Sequence, residues 1–452
     1  MSAARKRRLP GVLMAVALVS TVLAAPAHAR EAPTPIPPEL GKGIQGRVTQ
    51  DLPALGYTEE EYKLTGTATS YAADGALGTD GRWRATPAGS APYTTRIVVR
   101  RPADKADFNG TVVVEWLNVS FGVDIPVEFG QSWEEFVREG YAYVGVSAQQ
   151  VGIDRLRTFD PVRYPDVATP GDAASYDIFS QAGRQAERLT KARRLIAAGH
   201  SQSAGRLVTY ANAVQPRDRV FDGFLIHGRF SGAAPLGNTP APATSNIRDD
   251  LGVPTLQVQS ETDTLGYAAR RQPDTAKLRT WEVAGTAHGD AYLTESLDAV
   301  NAREKIIDNG NPVRCDKPLN AMPAHYVHNA AYHALDRWIR TGRPARKAPL
   351  IDLQTRDAHG NVAGGIRLPD IEAPVATYAP TNTGGNVPGA CFLLGSTTPF
   401  DAAKLRALYP THGAYVARYT AAARKALAAG FLRPADYRAA VRAARARPIP
   451  PA

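Results

Sequence analysis

The sequence predicts an α/β fold with a mostly parallel central sheet flanked by helices, and three observations support this prediction. Short apolar runs alternate with helix-sized segments along most of the chain, as in repeated strand–helix–strand units. Several runs are almost continuously apolar, as expected for central strands covered on both faces. The 452-residue chain is 44% hydrophobic and 21% charged, a composition typical of globular rather than disordered proteins.

Apolar runs predict the strands, and helical spacing of apolar residues predicts the helices between and after them. The predicted strands are residues 97–99, 111–115, 141–146, 195–198, 220–226, 254–258 and 279–283. The predicted helices include residues 183–193, 207–214 and 324–341. Near the start of the chain, Thr58 and Glu61 form a Thr-x-x-Glu capping-box pattern, which predicts that a helix begins there.

The N-terminus is predicted to be a secretory signal peptide over residues 1–29. Basic residues at positions 5–8 precede an apolar stretch, and Ala27-His28-Ala29 is a small-x-small cleavage signal. We therefore expect a secreted or periplasmic protein that is cleaved near Ala29. The rest of the chain has no apolar run long enough to span a bilayer, so no transmembrane segment is predicted.

The mature chain is predicted to be a proline-rich linker, residues 30–42, followed by a single domain over residues 43–452. Within this domain, residues 152–176 and 230–249 are long segments rich in proline, glycine and aspartate. Loops of this length in a compact domain are usually functional, so they are predicted to be lid-like insertions near a site. Residues 345–452 are predicted to be a C-terminal extension packed on the main domain.

The charge pattern argues against a nucleic-acid partner, and the two cysteines predict one disulfide. The formal net charge is +10, and it falls to about +6 without the four basic residues of the leader. No aromatic-interleaved basic motif or zinc-finger spacing accompanies this charge, so no nucleic-acid partner is predicted. Cys315 and Cys391 are predicted to form a disulfide, because exported proteins mature where such bonds persist.

A serine lies in the turn between a predicted strand and a predicted helix. The sequence Gly199-His200-Ser201-Gln202-Ser203 follows the apolar run 195–198 and precedes the helix. A strand, a sharp turn with a central serine and a helix are the layout of a nucleophile elbow. Ser201 is therefore the candidate nucleophile, although Ser203 stands where the elbow pattern usually has its second glycine.

A histidine and an acid follow in the order that the α/β-hydrolase fold uses, serine, then acid, then histidine. His288 lies in a glycine-flanked turn just after the last predicted strand, where its imidazole can reach back to Ser201. Asp263 lies a few residues past the preceding strand, and Glu261 is the alternative acid. The Ser–His–Asp set predicts acyl transfer, in which histidine deprotonates serine and the acid orients histidine.

Main-chain donors are also needed for the oxyanion that develops during acyl transfer. The N–H of Gln202, which follows the nucleophile, is the first predicted donor. The second is expected in the loop after residues 111–115, with Asn118 or Val119 as the candidate.

Six sequence segments are distinctive: GYTEEEY at 56–62, FNGTVVVEWLNVS at 108–120, SYDIFSQ at 175–181, GHSQS at 199–203, GGIRLP at 364–369 and CFLLG at 391–395. These segments resemble the exported bacterial alpha/beta hydrolase domain-containing family. The resemblance covers nearly the whole mature chain. It implies an α/β-hydrolase fold with the serine nucleophile at Ser201, and it says little about the substrate.

The leading hypothesis is a secreted serine hydrolase that cleaves small-molecule carboxylic esters through an acyl-enzyme on Ser201. No metal or organic cofactor is implied. Amide hydrolysis or acyl transfer on the same fold is an alternative, because a fold does not fix a function. A non-catalytic exported binding protein, with its basic C-terminal tail on an anionic surface, is the alternative from another class.

Overall fold

The computed structural model of the protein describes residues 32–451. The predicted signal peptide lies outside the described residues. Strands in chain order are β1 Thr34–Pro35, β2 Tyr57–Ala73, β3 Ala85–Pro102, β4 Thr111–Trp116, β5 Ala142–Val146, β6 Arg194–His200, β7 Gly223–His227, β8 Thr255–Ser260, β9 Leu278–Val283, β10 Ile351–Arg356, β11 Val362–Gly364, β12 Ala376–Ala379 and β13 Ser396–Pro399.

The helices surround and follow these strands. In chain order they are α1 Val127–Arg138, α2 Gln150–Phe159, α3 Ser175–Thr190, α4 Gln202–Thr209, α5 Gln215–Asp218, α6 Glu261–Tyr267, α7 Ala291–Glu304, α8 His325–Thr341, α9 Pro369–Glu372, α10 Ala390–Leu394, α11 Ala402–Leu408, α12 His412–Ala429 and α13 Pro434–Ala446. A π-helical turn, Tyr210–Val214, joins α4 to α5, so the helix that follows the elbow is longer than its sequence pattern predicted.

The central sheet has nine strands in the order β1-β2-β3-β5-β4-β6-β7-β8-β9. The six strands from β5 to β9 pair in parallel, and β1, β2 and β3 extend one edge with antiparallel pairing. The predicted α/β-hydrolase fold with a mostly parallel sheet is confirmed. Because the parallel strands all end at one edge of the sheet, the loops after β6, β8 and β9 meet there.

Helices cover both faces of the sheet, and the alternation of side chains along the strands separates the two cores. On β4, Val112 and Val114 pack into a core with α3 and α4. Val113, between them, faces the opposite core, which α1 and α8 complete. Strands buried on both faces have no polar side to alternate with, which explains their continuous apolar runs.

The predicted helix start at Thr58 and Glu61 is wrong, because this segment lies in the long strand β2, which pairs with β3 along its whole length. Glu61 is buried and accepts hydrogen bonds from Arg96 at 2.9 Å and Arg163 at 2.7 Å. A capping box needs its glutamate at a helix terminus. Here two arginines from β3 and a later loop bind the carboxylate and outweigh the local helical pattern.

The segments expected as a linker and a first lid lie against the domain. Residues 34–35 pair with β2, and the guanidinium of Arg163 donates to the carbonyl oxygens of Pro37 and Leu40. The segment 152–176 begins inside helix α2, whose Ile153 and Leu156 are fully buried. Apolar residues that the loop-like composition obscured therefore anchor this segment in a small core of its own.

Residues of the C-terminal extension pack against the main domain, and Cys391 of the extension is covalently bonded. Cys315 and Cys391 form a disulfide, which confirms the predicted pairing. Arg433 of the basic tail binds Glu135 of α1 at 2.9 Å and Glu139, the residue after α1, at 2.7 Å.

Across residues 32–451, no helix combines the length and apolar character that crossing a membrane requires.

Candidate active site

The predicted nucleophile occupies a sharp turn between β6 and α4. Ser201 has φ 61° and ψ −117°, a backbone conformation that residues other than glycine rarely adopt. Its main-chain N–H donates to the carbonyl oxygen of His227 at 2.9 Å, which ties the turn to β7. A residue held in such a conformation must be fixed by its surroundings, and strain of this kind concentrates at functional sites.

Small residues allow the turn to be this tight. A Cβ on Gly199 would lie 3.1 Å from a methyl carbon of Leu207 and 3.2 Å from the Cβ of Ser203, so close packing favours glycine at the first position of the elbow. Ser203, which stands in place of the second glycine, is fully buried, and its hydroxyl donates to the carbonyl oxygen of Leu117 at 3.2 Å. The serine therefore fits and links α4 to the loop after β4.

The predicted base and acid are in direct contact. Nδ1 of His288, in the loop after β9, lies 2.6 Å from Oδ1 of Asp263. The other oxygen of Asp263 accepts from the main-chain N–H of Ser260 at 2.8 Å and from its hydroxyl at 2.6 Å. Burial acts to raise the pKa of Asp263, but His288 and these hydrogen bonds outweigh it and hold the pKa below its usual range.

The alternative acid binds elsewhere. Glu261 accepts from Arg356 at 2.5 Å and from the main-chain N–H of Gly285 at 3.0 Å. It therefore connects the C-terminal extension to the start of the loop that carries His288. The structure thus brings Asp263 into contact with His288 and uses both oxygens of Glu261 to hold the loop.

The loop that carries His288 contacts residues that were not predicted to belong to the site. Nε2 of His200 lies 3.1 Å from the carbonyl oxygen of His288, and since a carbonyl only accepts, Nε2 carries the proton. A Cβ on Gly228 would lie 2.9 Å from Nε2 of His200 and 3.3 Å from the His288 ring. Phe230, in the segment 230–249 expected as a lid, stacks on that ring at 5.5 Å.

His200 is the first of a chain of buried polar side chains that continues through His227 to His328 and Glu128. The rings of His200 and His227 are 4.3 Å apart, and those of His227 and His328 are 3.9 Å apart. Nδ1 of His227 lies 3.0 Å from Glu128, which accepts from the Tyr332 hydroxyl at 2.7 Å. Burial lowers the pKa of His227 to about 3 and raises that of Glu128 to about 8. Burial therefore favours the neutral form of both groups.

The two predicted oxyanion donors differ in availability. Gln202 is the first residue of α4, where main-chain N–H groups have no partner within the helix. The main-chain N–H of Asn118 instead donates to Ile125 at 3.1 Å, and its side chain donates to the carbonyl oxygen of His200 at 2.9 Å. Asn118 therefore supports the loop and the elbow, and its main-chain N–H is engaged. Val119 is the remaining candidate in this loop.

Ser201 and His288 line one cavity of about 140 Å³ together with His200 and Asn118. Its outer wall comes from α7 and α10, which the sequence analysis did not connect with the site. Neither expected lid segment, 152–176 or 230–249, contributes to the lining within the described chain. Walls contributed by distant parts of the chain leave no local pattern, so no sequence signal identified them.

One group of side chains in residues 32–451 converges closely enough to hold a metal ion: Glu135, Glu139 and His333. Arg433 binds both carboxylates, and Arg138 also contacts Glu135 at 2.6 Å. The arginines therefore neutralise both carboxylates, and the group forms a salt-bridge network.

The model of a family described as "Alpha/beta hydrolase domain" matches residues 31–442, most of the chain. No curated protein matches the chain. Similar solved structures include esterase Est22 at 14% identity, covering 57% of this chain and 81% of that chain with a TM-score of 0.32. A glucuronoyl esterase from Solibacter usitatus matches at 12% identity, 54% and 81% coverage and a TM-score of 0.29.

A third similar structure is an alpha-beta serine hydrolase homologue from Coxiella burnetii. It matches at 13% identity, covers 43% of this chain and 84% of that chain, and has a TM-score of 0.29.

Proposed function

This chain belongs to the alpha/beta hydrolase domain family, and we propose that it is a serine-dependent hydrolase of carboxylic esters. The observation that carries the proposal is the elbow. Ser201 has a positive φ at the end of β6 and shares a cavity with His288, whose Nδ1 contacts Asp263. A strained serine, a histidine and a buried acid in this arrangement are the parts that nucleophilic acyl transfer requires.

In the proposed reaction, Oγ of Ser201 attacks the ester carbonyl while Nε2 of His288 takes the hydroxyl proton. The tetrahedral intermediate then collapses, the carbon–oxygen bond to the alcohol breaks, and His288 returns the proton to the departing alcohol. A water molecule, deprotonated by His288, attacks the acyl-enzyme and releases the acid and Ser201. The net reaction is ester plus water to acid plus alcohol.

Asp263 is proposed to hold the imidazole for these steps. Its lowered pKa keeps the carboxylate ionised at neutral pH, so it accepts a hydrogen bond from Nδ1–H and leaves Nε2 free to act as the base. The negative charge also stabilises the imidazolium that forms when Ser201 is deprotonated.

The main-chain N–H groups of Gln202 and Val119 are proposed to bind the oxyanion. Gln202 begins α4, so the positive end of the helix dipole adds to its hydrogen bond. The loop that contains Val119 is tied to the elbow by the bond from Ser203 to Leu117. The loss of one such donor raises the activation barrier by about 3 kcal/mol.

We also propose that the protein is exported. The leader sequence supports export, and the Cys315–Cys391 disulfide is of the kind that persists in oxidising compartments. The N-terminal sequence of protein recovered outside the cytoplasm tests this proposal. A mature chain that begins close to residue 30 is expected, and an intact leader on the exported protein would contradict it.

Labelling with a fluorophosphonate probe tests the proposed nucleophile. The mature protein should be labelled, whereas Ser201→Ala and His288→Ala should not. Ser120→Ala is the matched control, because Ser120 lines the same cavity but lies outside the elbow. It should be labelled like the wild type. A folded wild-type protein that is not labelled, or a labelled Ser201→Ala variant, would overturn the proposal.

The products of a labelled enzyme separate ester hydrolysis from its alternatives on the same fold. Hydrolysis of a p-nitrophenyl ester should release acid and p-nitrophenol in equal amounts in plain buffer. Products that form only with an added amine or alcohol would indicate an acyltransferase. Preferential turnover of the matching anilide would indicate an amidase.

A further inference from the structure

The cavity beside Ser201 and His288 has walls formed mainly by apolar side chains. Leu293 and Leu297 of α7 form one side, Ile125 and Val127 before and at the start of α1 form another, and Leu393 and Leu394 of α10 form the third. Burial of apolar groups against such walls is favourable and does not depend on direction. The cavity therefore binds hydrocarbon and offers few groups that orient a polar substituent.

Charge is nearly absent from the lining. None of the described lining residues is lysine or arginine, and Asp298 is the one acid among them. A carboxylate or phosphate on the substrate would lose its hydration here without gaining a cationic partner, which is strongly unfavourable. A substrate group that enters the cavity is therefore uncharged.

The volume indicates the size of the group that the cavity can enclose. The cavity measures about 140 Å³, which is close to the roughly 150 Å³ of an apolar cavity known to bind benzene in another protein. A group of about one aromatic ring, or a short aliphatic chain of similar volume, fills this space. Longer chains extend beyond this space or require the walls to move.

The third wall is fixed in place from three directions. The N–H of Gly289 donates to the carbonyl oxygen of Leu393 at 3.0 Å, and the N–H of Asn320 donates to that of Leu394 at 3.1 Å. Cys391, within α10, is bonded to Cys315, two residues beyond Val313 of the same lining. A Cβ on Gly289 would lie 3.1 Å from a methyl carbon of Leu394, so α10 packs directly beside His288.

We propose that this cavity selects uncharged esters in which one of the two groups joined by the ester is a small hydrocarbon, with Leu297 and Leu394 limiting its size. The inference rests on the proposed hydrolase function and names its substrate class. The acyl group and the alcohol group share this chemistry, so the test has a separate arm for each.

The test uses the mature, disulfide-bonded protein and two series of substrates. The first varies the acyl group of p-nitrophenyl esters from acetyl to dodecanoyl, and the second varies the alcohol of acetate esters over the same lengths. In one series kcat/KM should rise to a maximum at a short chain and then fall at least about tenfold at longer chains. The series with the maximum identifies the group in the cavity.

An anionic substrate tests the charge argument. If the acyl series shows the maximum, the hemisuccinate should be at least about tenfold slower than the butyrate of similar length, and if the alcohol series shows it, the acetate ester of 4-hydroxybutyrate should be at least about tenfold slower than butyl acetate. Equal rates would contradict the proposed exclusion of charge.

Variants test the walls. Leu394→Ala and Leu297→Ala should each move the maximum to longer chains, because they enlarge the cavity. Leu350→Ala is the matched control, since Leu350 is half exposed and lies outside the lining. It should leave the profile unchanged. Two wall variants are used so that the test does not depend on the folding of one.

Labelling by the fluorophosphonate probe distinguishes the two levels of failure. If Ser201 is labelled but both series are flat, or if neither wall variant shifts the maximum, the substrate class is wrong and the proposed function stands. If folded wild-type protein is not labelled, the proposed function fails and this inference fails with it.

Discussion

Nε2 of His200 lies 3.1 Å from the carbonyl oxygen of His288, so the residue before the candidate nucleophile binds the loop that carries the candidate base. The two parts of the site come from β6 and from the loop after β9, which are not neighbours in the sheet. Burial and the neighbouring imidazoles His288 and His227 hold the pKa of His200 well below its usual value. The His200 imidazole therefore stays neutral, and keeps this contact, throughout the pH range in which ester hydrolysis is measured.

His200→Phe should reduce kcat by about a hundredfold with little change in KM, because loss of the hydrogen bond lets His288 move relative to Ser201. His200→Gln retains an N–H donor and should recover part of the loss. Steady-state kinetics and melting temperatures of both variants check this. If the two variants lose activity equally and only in proportion to lost stability, His200 is structural and does not position the base.

Asp263→Asn should reduce kcat by about 10⁴-fold, since an amide facing Nδ1 favours the wrong imidazole tautomer. Glu261→Gln is the matched comparison, because Glu261 lies on the same turn of α6 but binds Arg356 and Gly285. It should lower the melting temperature and keep kcat within about tenfold of the wild type. The reverse order of the two effects would assign the acid to Glu261.

Gly228→Ala should reduce activity severely. Gly228 has φ +63°, and a Cβ there would press on His200 and on the His288 ring. Gly252→Ala is the control, because Gly252 has φ +82° with nothing within 4 Å of a Cβ. In both variants, alanine at a positive φ should destabilise the folded protein by about 1–2 kcal/mol. Denaturant unfolding and kinetics should show similar backbone destabilisation in both and a large loss of activity only in Gly228→Ala.

The buried carboxyl of Glu128 predicts a pH dependence of stability. Burial raises its folded-state pKa to about 8, so between about pH 4.5 and 8 the folded protein binds a proton that the unfolded chain releases. Stability from this group is therefore lost as pH rises through that window, by at most about 1.4 kcal/mol per pH unit.

Glu128→Gln removes this titration while keeping groups that can bond His227 and Tyr332. Its melting temperature relative to the wild type should increase steadily from pH 5 to pH 8. Glu187→Gln, at an exposed position on α3, is the control and should follow the wild-type curve. A constant difference between Glu128→Gln and the wild type across this range would contradict the prediction.

Glu61→Ala should destabilise the fold by about 3–5 kcal/mol, because it leaves Arg96 and Arg163 buried without their shared carboxylate. Glu60→Ala, on the same strand, removes a solvent-accessible pair with Arg101 and should cost about 0–1 kcal/mol. Urea unfolding of both variants compares them. Equal effects would mean that the buried pair contributes no more than the exposed one.

Local sequence patterns determined the strand series, the elbow and the order of the site residues. Nearly continuous apolar runs indicated β4 to β7, as expected for strands buried on both faces, whereas β8 and β9 carry polar residues between their apolar ones although every residue of both strands is buried. Gly199, Ser201 and His288 are predicted as site residues because a tight strand-to-helix turn and a glycine-flanked loop restrict which residues fit. These are short-range constraints, and a sequence records them directly.

Tertiary contacts decided what the local patterns left open or described wrongly. Thr58 to Glu61 has a helix-start pattern, yet Arg96 and Arg163 bind Glu61 within the sheet. Asp263 and Glu261 are two residues apart and chemically alike, and only the direction of each side chain from α6 places Asp263 against His288. The α10 wall and the His200–His288 contact join residues far apart in the chain, where packing in three dimensions, rather than any local pattern, determines which side chains meet.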